Sequence, residues 1–168
     1  MINIVLFEPE IPQNAGNIMR TCVGIGAKLH LIKPLGFSLD ESKIKRYSVN
    51  HLDKLNYQVY ENYDEFMREN KGVFLFLTRY ATKSYDDFTF EENENYYLIF
   101  GKESTGIPKE ILNENIETCF RIPTTEDIRS LNLSNAVAIV AYEALRQLKF
   151  SNLKKFDVHK GFDYLNRV

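Results

Sequence analysis

The 168-residue chain has only two cysteines and three histidines, and each shortage removes a class of function. Cys22 and Cys119 form no CxxC pair, so both read as small buried hydrophobes rather than as a disulfide or metal ligands. His30, His51 and His159 stand singly, without an HExxH motif, and no metal is expected. No apolar run approaches the roughly 20 residues of a membrane span. The opening Met1-Ile2-Asn3-Ile4-Val5-Leu6-Phe7 carries no charged region or cleavage signal, so the expected location is cytoplasmic. Positive charge is not in excess: 21 basic residues face 23 acidic ones, a net charge of −2. Gripping nucleic acid by global charge is thereby excluded, and only a local basic patch remains open.

What is present is an ordinary globular composition, 44% hydrophobic and 26% charged. The length suits one domain with a substantial core. Residues 2–7, 29–32, 73–78, 96–100 and 118–122 read as short buried strands, and 17–27, 63–70, 108–114 and 132–148 as helices. This alternation predicts an α/β fold, a mainly parallel sheet with helices on both faces. Gly26 reads as the C-cap of the first helix. Residues 1–150 form the predicted domain. The 151–168 tail mixes Lys154, Lys155, Lys160 and Arg167 with Phe156, Phe162, Tyr164 and Leu165, and reads either as a docked segment or as a frayed end.

Ligands of open α/β sheets sit beyond the carboxyl ends of the strands, so the segments following strands carry the chemistry. After the first strand, Glu8 to Arg20 contains two prolines, Asn14 and Asn17 as alternative helix caps, and Arg20 one turn beyond Asn17. Arg20 suits phosphate recognition or a surface ion pair. After the fourth predicted strand comes Gly101-Lys102-Glu103-Ser104-Thr105-Gly106-Ile107-Pro108. Ile107 and Pro108 stand where a phosphate-binding loop needs Lys and Ser/Thr, so that reading fails. A glycine-lined turn open to a ligand, or a plain strand–helix connection, remains. After 118–122, Pro123 to Asn135 is dense in Ser, Thr and Asn before an apolar helix, enough for a ligand site or for capping alone. No GxGxxG follows a strand, and no GxSxG or Cys/His nucleophile appears.

Taken in order, the three segments resemble the motifs of the SPOUT methyltransferases: Asn14, Gly16, Asn17 and Arg20; then Phe100, Gly101, Glu103 and Gly106; then Ile122, Pro123, Ser130, Leu131, Asn132, Ser134 and Asn135. The opening Asn3 to Pro12 and Lys33-Pro34-Leu35-Gly36-Phe37 are similar to the minimal members that methylate the wobble nucleotide of tRNA, and the resemblance covers about residues 1–150. It implies 2′-O-methylation of cytidine or uridine 34 with S-adenosylmethionine as donor, a C-terminal trefoil knot and a homodimer whose active site is completed across subunits. Carried over by position, Leu77, Gly101, Ile122, Ser130 and Leu131 would contact the cofactor. Arg20 would take the catalytic role, with Asn14, Glu103 and Asn132 shaping the site. A guanidinium keeps its proton, so Arg20 suits substrate positioning and stabilisation of developing negative charge. Arg46 and Tyr47, in the basic stretch Lys43-Ile44-Lys45-Arg46-Tyr47, are the candidate RNA contacts. The helix 132–148 is the expected dimer contact, with Val140 and Ala144 at the symmetry mate. Thr124, Lys102, the Glu126-Asp127 pair and the long tail depart from the family pattern. The alternatives are another tRNA or rRNA nucleotide as target, or an RNA-binding factor without catalysis.

Overall fold

Every side chain of Ile2–Phe7 (β1) is buried, and the strand's two-residue period divides them between two cores. Ile2, Ile4 and Leu6 enter one hydrophobic cluster, and Val5 and Phe7 the other. A strand apolar on both faces must be covered on both, which requires a layer of helices on each side. The computed structural model, which describes residues 1–40 and 52–167, has this architecture.

The sheet contains β1, Lys28–Ile32 (β2), Tyr57–Tyr60 (β3), Val73–Leu77 (β4), Lys83–Ser84 (β5), Tyr96–Gly101 (β6) and Cys119–Arg121 (β7), in the order β3-β2-β1-β6-β4-β7-β5. All the described pairings are parallel, with Phe7 opposite Ile32 on one side and Gly101 on the other. Pro12–Ile25 (α1) and Leu133–Gln147 (α4) cover one face; Ile18, Met19 and Cys22 of α1 and Val137, Ala141 and Ala144 of α4 enter its cluster. On the opposite face, Tyr63–Glu69 (α2) contributes Phe66 and Lys109–Glu114 (α3) contributes Leu112. Each large side chain buried this way contributes about 1.5–3 kcal/mol.

Several expectations shift. β3 and β5 were not legible as strands: Tyr57-Gln58-Val59-Tyr60 lacks a sustained apolar run, and β5 has only two residues at the sheet edge. Helix α1 begins at Pro12, not Asn17, because proline suits a first-turn position where no N–H is required. Asn14 and Asn17 therefore lie inside the helix and neither caps it. Gly26 does end α1, at φ +68° in the left-handed region. Val140 and Ala144 pack into the chain's own core, so they offer no surface to a second copy; the exposed apolar residues of α4 are Ile139 and Tyr142. The tail is an exposed, turn-rich segment ending in one short helical turn, Tyr164–Asn166.

Cys22 and Cys119 are buried free thiols, and burial pushes Cys22 up to about 12. No described helix is long and apolar enough to cross a membrane. No His, Cys, Asp and Glu cluster among the described residues could hold a metal ion.

Candidate active site

The carboxyl ends of β1, β4, β6 and β7 open into one cleft of about 530 Å³, within the roughly 300–1,000 Å³ of small-molecule sites. Its wall is built by a chain of side-chain hydrogen bonds that ties the three sequence segments together. Glu103, just beyond β6, accepts from the backbone N–H of Glu10 at 2.9 Å and of Ile11 at 3.2 Å, and from Asn14 Nδ2 at 3.2 Å. Asn14 Oδ1 in turn accepts from Asn132 Nδ2 at 2.9 Å. Asn132 Oδ1 caps α4, accepting from the Ser134 backbone N–H at 2.9 Å and the Ser134 hydroxyl at 2.7 Å. Asn14 stands in the middle of this relay, so the segment after β1 holds both the segment after β6 and the start of α4.

A second clamp was not visible in the sequence. Glu10 Oε2 and Oε1 accept from the backbone N–H and hydroxyl of Ser104, both at 2.8 Å, and these bonds hold the Glu10 carboxyl below its usual range. Beside it, Lys102 pairs with Glu8 at 2.6 Å, which raises the lysine's affinity for its proton. Two glycines permit the loops to approach. Gly101 has φ +105°, and a Cβ there would lie 2.5 Å from the Phe7 carbonyl oxygen. A Cβ on Gly36 would lie 2.3 Å from the Glu10 carbonyl oxygen, so the 33–37 loop can prop the turn after β1 only with glycine there.

The predicted cofactor contacts Leu77, Gly101, Ile122, Ser130 and Leu131 all line the cleft, as do Asn14, Glu103 and Asn132. Arg20 does not join them: it is exposed on α1, outside the lining of its own chain's cleft. Arg46 and Tyr47 lie outside the described residues, with Lys43, Lys45 and His51, while Lys54 is exposed at the end of a short helical turn. The lining also contains polar residues that the sequence reading did not propose, among them Arg79, Tyr80, Arg121 and Arg129. The Arg79 guanidinium stacks 4.7 Å from the centre of the Tyr80 ring. Arg121 Nε is buried without a hydrogen-bond partner among the described residues. A buried donor left unpaired is unfavourable by about 1–3 kcal/mol, so its place in the wall of a cleft marks a point where a ligand acceptor is wanted. Thr78-Arg79-Tyr80 directly follow β4, and Arg121 ends β7. Applying the carboxyl-end rule after 73–78 would have found Arg79 and Tyr80, whereas Arg121 lies inside the run 118–122 read as a strand and escapes the rule.

The SpoU rRNA methylase family model matches residues 1–142, which leaves the exposed C-terminal segment outside the match. A Listeria innocua protein is 49% identical over 153 residues, 90% of each chain. A Saccharophagus degradans tRNA (cytidine(34)-2′-O)-methyltransferase is 42% identical over 156 residues, covering 92% of this chain and 100% of that one. A solved structure described by the 2-OH methylation of C/U34 on tRNA superimposes with a TM-score of 0.83 at 38% identity, covering 89% of this chain and 97% of the other. The parallel sheet, the cleft at its carboxyl edge and the relay that joins the three motif segments are thus the framework of a shared fold: this chain belongs to the SpoU rRNA methylase family.

Proposed function

We propose that this chain transfers the methyl group of S-adenosylmethionine to the ribose 2′-hydroxyl of nucleotide 34 in tRNA. The observation that carries the reading is the Glu103–Asn14–Asn132 relay, which brings the three motif segments to the wall of one cleft. Relatives alike over nearly their whole length, one of them a tRNA (cytidine(34)-2′-O)-methyltransferase, support the choice of substrate.

The cleft suits the donor. Leu77, Ile122 and Leu131 supply apolar walls for a purine, Gly101 and Ser130 leave backbone groups accessible, and Arg121 offers an unpaired donor to an anionic end. When bound, S-adenosylmethionine supplies a sulfonium methyl that is already a strong electrophile. The chain's own task is alignment, and holding a hydroxyl in line with the methyl is worth several kcal/mol of the barrier. Asn14, Glu103 and Asn132 hold the cleft wall in one geometry. Arg20 fixes the substrate phosphate or hydroxyl and stabilises the negative charge that develops on oxygen. Because Arg20 is exposed outside the lining of its own chain's cleft, it is assigned to the cleft of a second copy, which makes the functional unit a homodimer. The reading also takes the segment after β6 to be threaded as the trefoil knot of the SPOUT fold, and the enzyme to act on cytoplasmic tRNA.

The test is methyl transfer from labelled S-adenosylmethionine to tRNA lacking wobble methylation, with the product nucleotide mapped. Label at nucleotide 34, reduced at least about 100-fold in Arg20→Ala with donor binding retained, is the expected result. Label at another tRNA position, or in rRNA only, would replace the substrate while keeping the chemistry. Donor binding without transfer to any RNA would reject the enzyme reading.

A further inference from the structure

Charge is unevenly divided along this chain. Five of its 21 basic residues but only two of its 23 acidic ones fall in 149–168, so that stretch carries +3 and the remainder −5. The remainder of a protein that must hold an RNA polyanion is therefore net negative, and the last 20 residues, like the stretch 43–46, gather positive charge.

Both acidic side chains of this segment are engaged within it. Asp157 accepts from the backbone N–H groups of His159 and Lys160, each at 2.8 Å, and Asp163 pairs with Arg167 at 2.7 Å. Lys149, Lys154 and Lys155 have no ion-pair partner among the described residues, and Lys155 lies 6.0 Å from the Phe150 ring centre. Apolar side chains alternate with these cations and face solvent: Phe156, Phe162 and Leu165 are 53%, 85% and 92% exposed. The departure from α4 is set by two consecutive left-handed residues, Lys149 at φ +57° and Phe150 at φ +53°. The Phe150 N–H bonds back to the Leu145 carbonyl at 2.8 Å, and its ring sits 6.5 Å from that of Tyr142. The segment is thus directed by the helix end; Lys160 donates to the Tyr164 hydroxyl at 3.2 Å and lies 4.3 Å from that ring's centre, while Lys154 and the rings of Phe156 and Phe162 have no partner among the described residues.

Cations interleaved with exposed rings are the chemistry of single-stranded nucleic-acid binding, in which lysines neutralise phosphates and rings stack on bases. Pairing two such segments about a two-fold axis would bring like charges together, which disfavours a second copy of the segment as the occupant. We propose that residues 149–167 form an RNA-binding arm that grips unpaired nucleotides of the substrate RNA. The inference rests on the RNA methyltransferase reading above and adds the element that supplies affinity. The 15 residues of α4 place the arm about 22 Å along the helix from the cleft residue Asn132, so it acts on RNA affinity rather than on the transfer step.

The experiment uses the full-length chain with Lys154→Gln, Lys155→Gln and Lys160→Gln combined, and separately Phe156→Ala with Phe162→Ala. Binding of a fluorescent anticodon stem-loop is measured across a salt series, beside KM and kcat for tRNA, S-adenosylmethionine affinity and sedimentation. The lysine variant is expected to bind about tenfold more weakly, with the log–log salt slope smaller in magnitude by about 2. The ring variant is expected to lose affinity with its slope retained, and in both KM for tRNA rises while donor affinity holds. Wild-type RNA affinity and salt slope in both variants would overturn the arm. A change in association state with unchanged RNA binding would also overturn it, by assigning the segment to a protein contact. An arm-dependent salt slope in a protein that transfers no methyl to nucleotide 34 would retain the arm and discard the wobble reading.

Discussion

Two polar networks are built into this sheet, one enclosed by the core and one on the wall of the cleft. In the enclosed one, His30 Nδ1 shares a 2.7 Å hydrogen bond with the Tyr60 hydroxyl, and His30 Nε2 lies 3.3 Å from Asn3 Oδ1. Asn70 donates to the Tyr60 hydroxyl at 3.1 Å, and Asn3 donates to the Tyr96 carbonyl at 3.2 Å. The rings of Phe66 and Tyr97 close over His30 edge-on. Its polar groups are consumed by one another, and nothing is offered to a ligand. The cleft network is equally ordered in Glu103, Asn14 and Asn132, yet it stands beside Arg121, whose buried Nε has no partner among the described residues. The difference separates polar groups that specify a core from polar groups that hold a binding surface in place.

Three substitutions test that contrast. Asn132→Ala removes both the cap of α4 and the bond to Asn14. Methyl transfer should fall at least about 100-fold, because small misplacements of a reacting geometry have effects of that size, while stability falls by about 1 kcal/mol from the lost cap. Transfer kinetics beside thermal melts would decide, and a destabilised but fully active variant would make the relay a packing feature only.

The enclosed network should respond to pH instead. Burial pushes His30 down to about 4, with Lys28 adding a smaller push in the same direction. The unfolded chain takes up this proton near the ordinary value of 6.5, whereas the native one resists until about 4. The native state thus binds fewer protons in between, and stability falls as pH drops through that window. The expected loss is about 2 kcal/mol at pH 5 relative to pH 8. His30→Gln, which keeps a hydrogen-bonding group but cannot titrate there, should remove this component. Urea unfolding of both proteins at the two pH values measures it, and an unchanged difference would assign the acid sensitivity to carboxylates. The smallest effect belongs to Tyr60→Phe. Loss of its hydroxyl bonds should lower stability by about 1 kcal/mol and the melting temperature by about 2–4 °C, with kcat and donor affinity unchanged.

Much of the site was legible because its residues lie where strands end. Asn14, Gly101, Glu103, Ile122, Ser130 and Asn132 were marked by position after apolar runs and by the motifs they complete, and all line the cleft. Glu10 and Ser104 were not, because two polar loop residues separated by 94 positions carry no sign of one another until the parallel sheet aligns β1 with β6. Arg121 ends a strand, and nothing in the sequence separates it from an ordinary strand boundary. Val140 and Ala144 face the chain's own core rather than a second copy, and α4 is apolar enough that composition alone does not say which face is covered.

By itself the sequence determined five of the seven strands, the four α-helices and the cleft's address. Apolar period, glycine and proline positions act locally on φ, ψ and burial, and the carboxyl-end rule follows from a parallel sheet. Tertiary structure decided the rest. The strand order β3-β2-β1-β6-β4-β7-β5, the burial of His30 and the relay through Asn14 all depend on which distant segments share a wall. Side chains reach only a few ångströms, so partners remote in the chain are defined by packing and not by spacing.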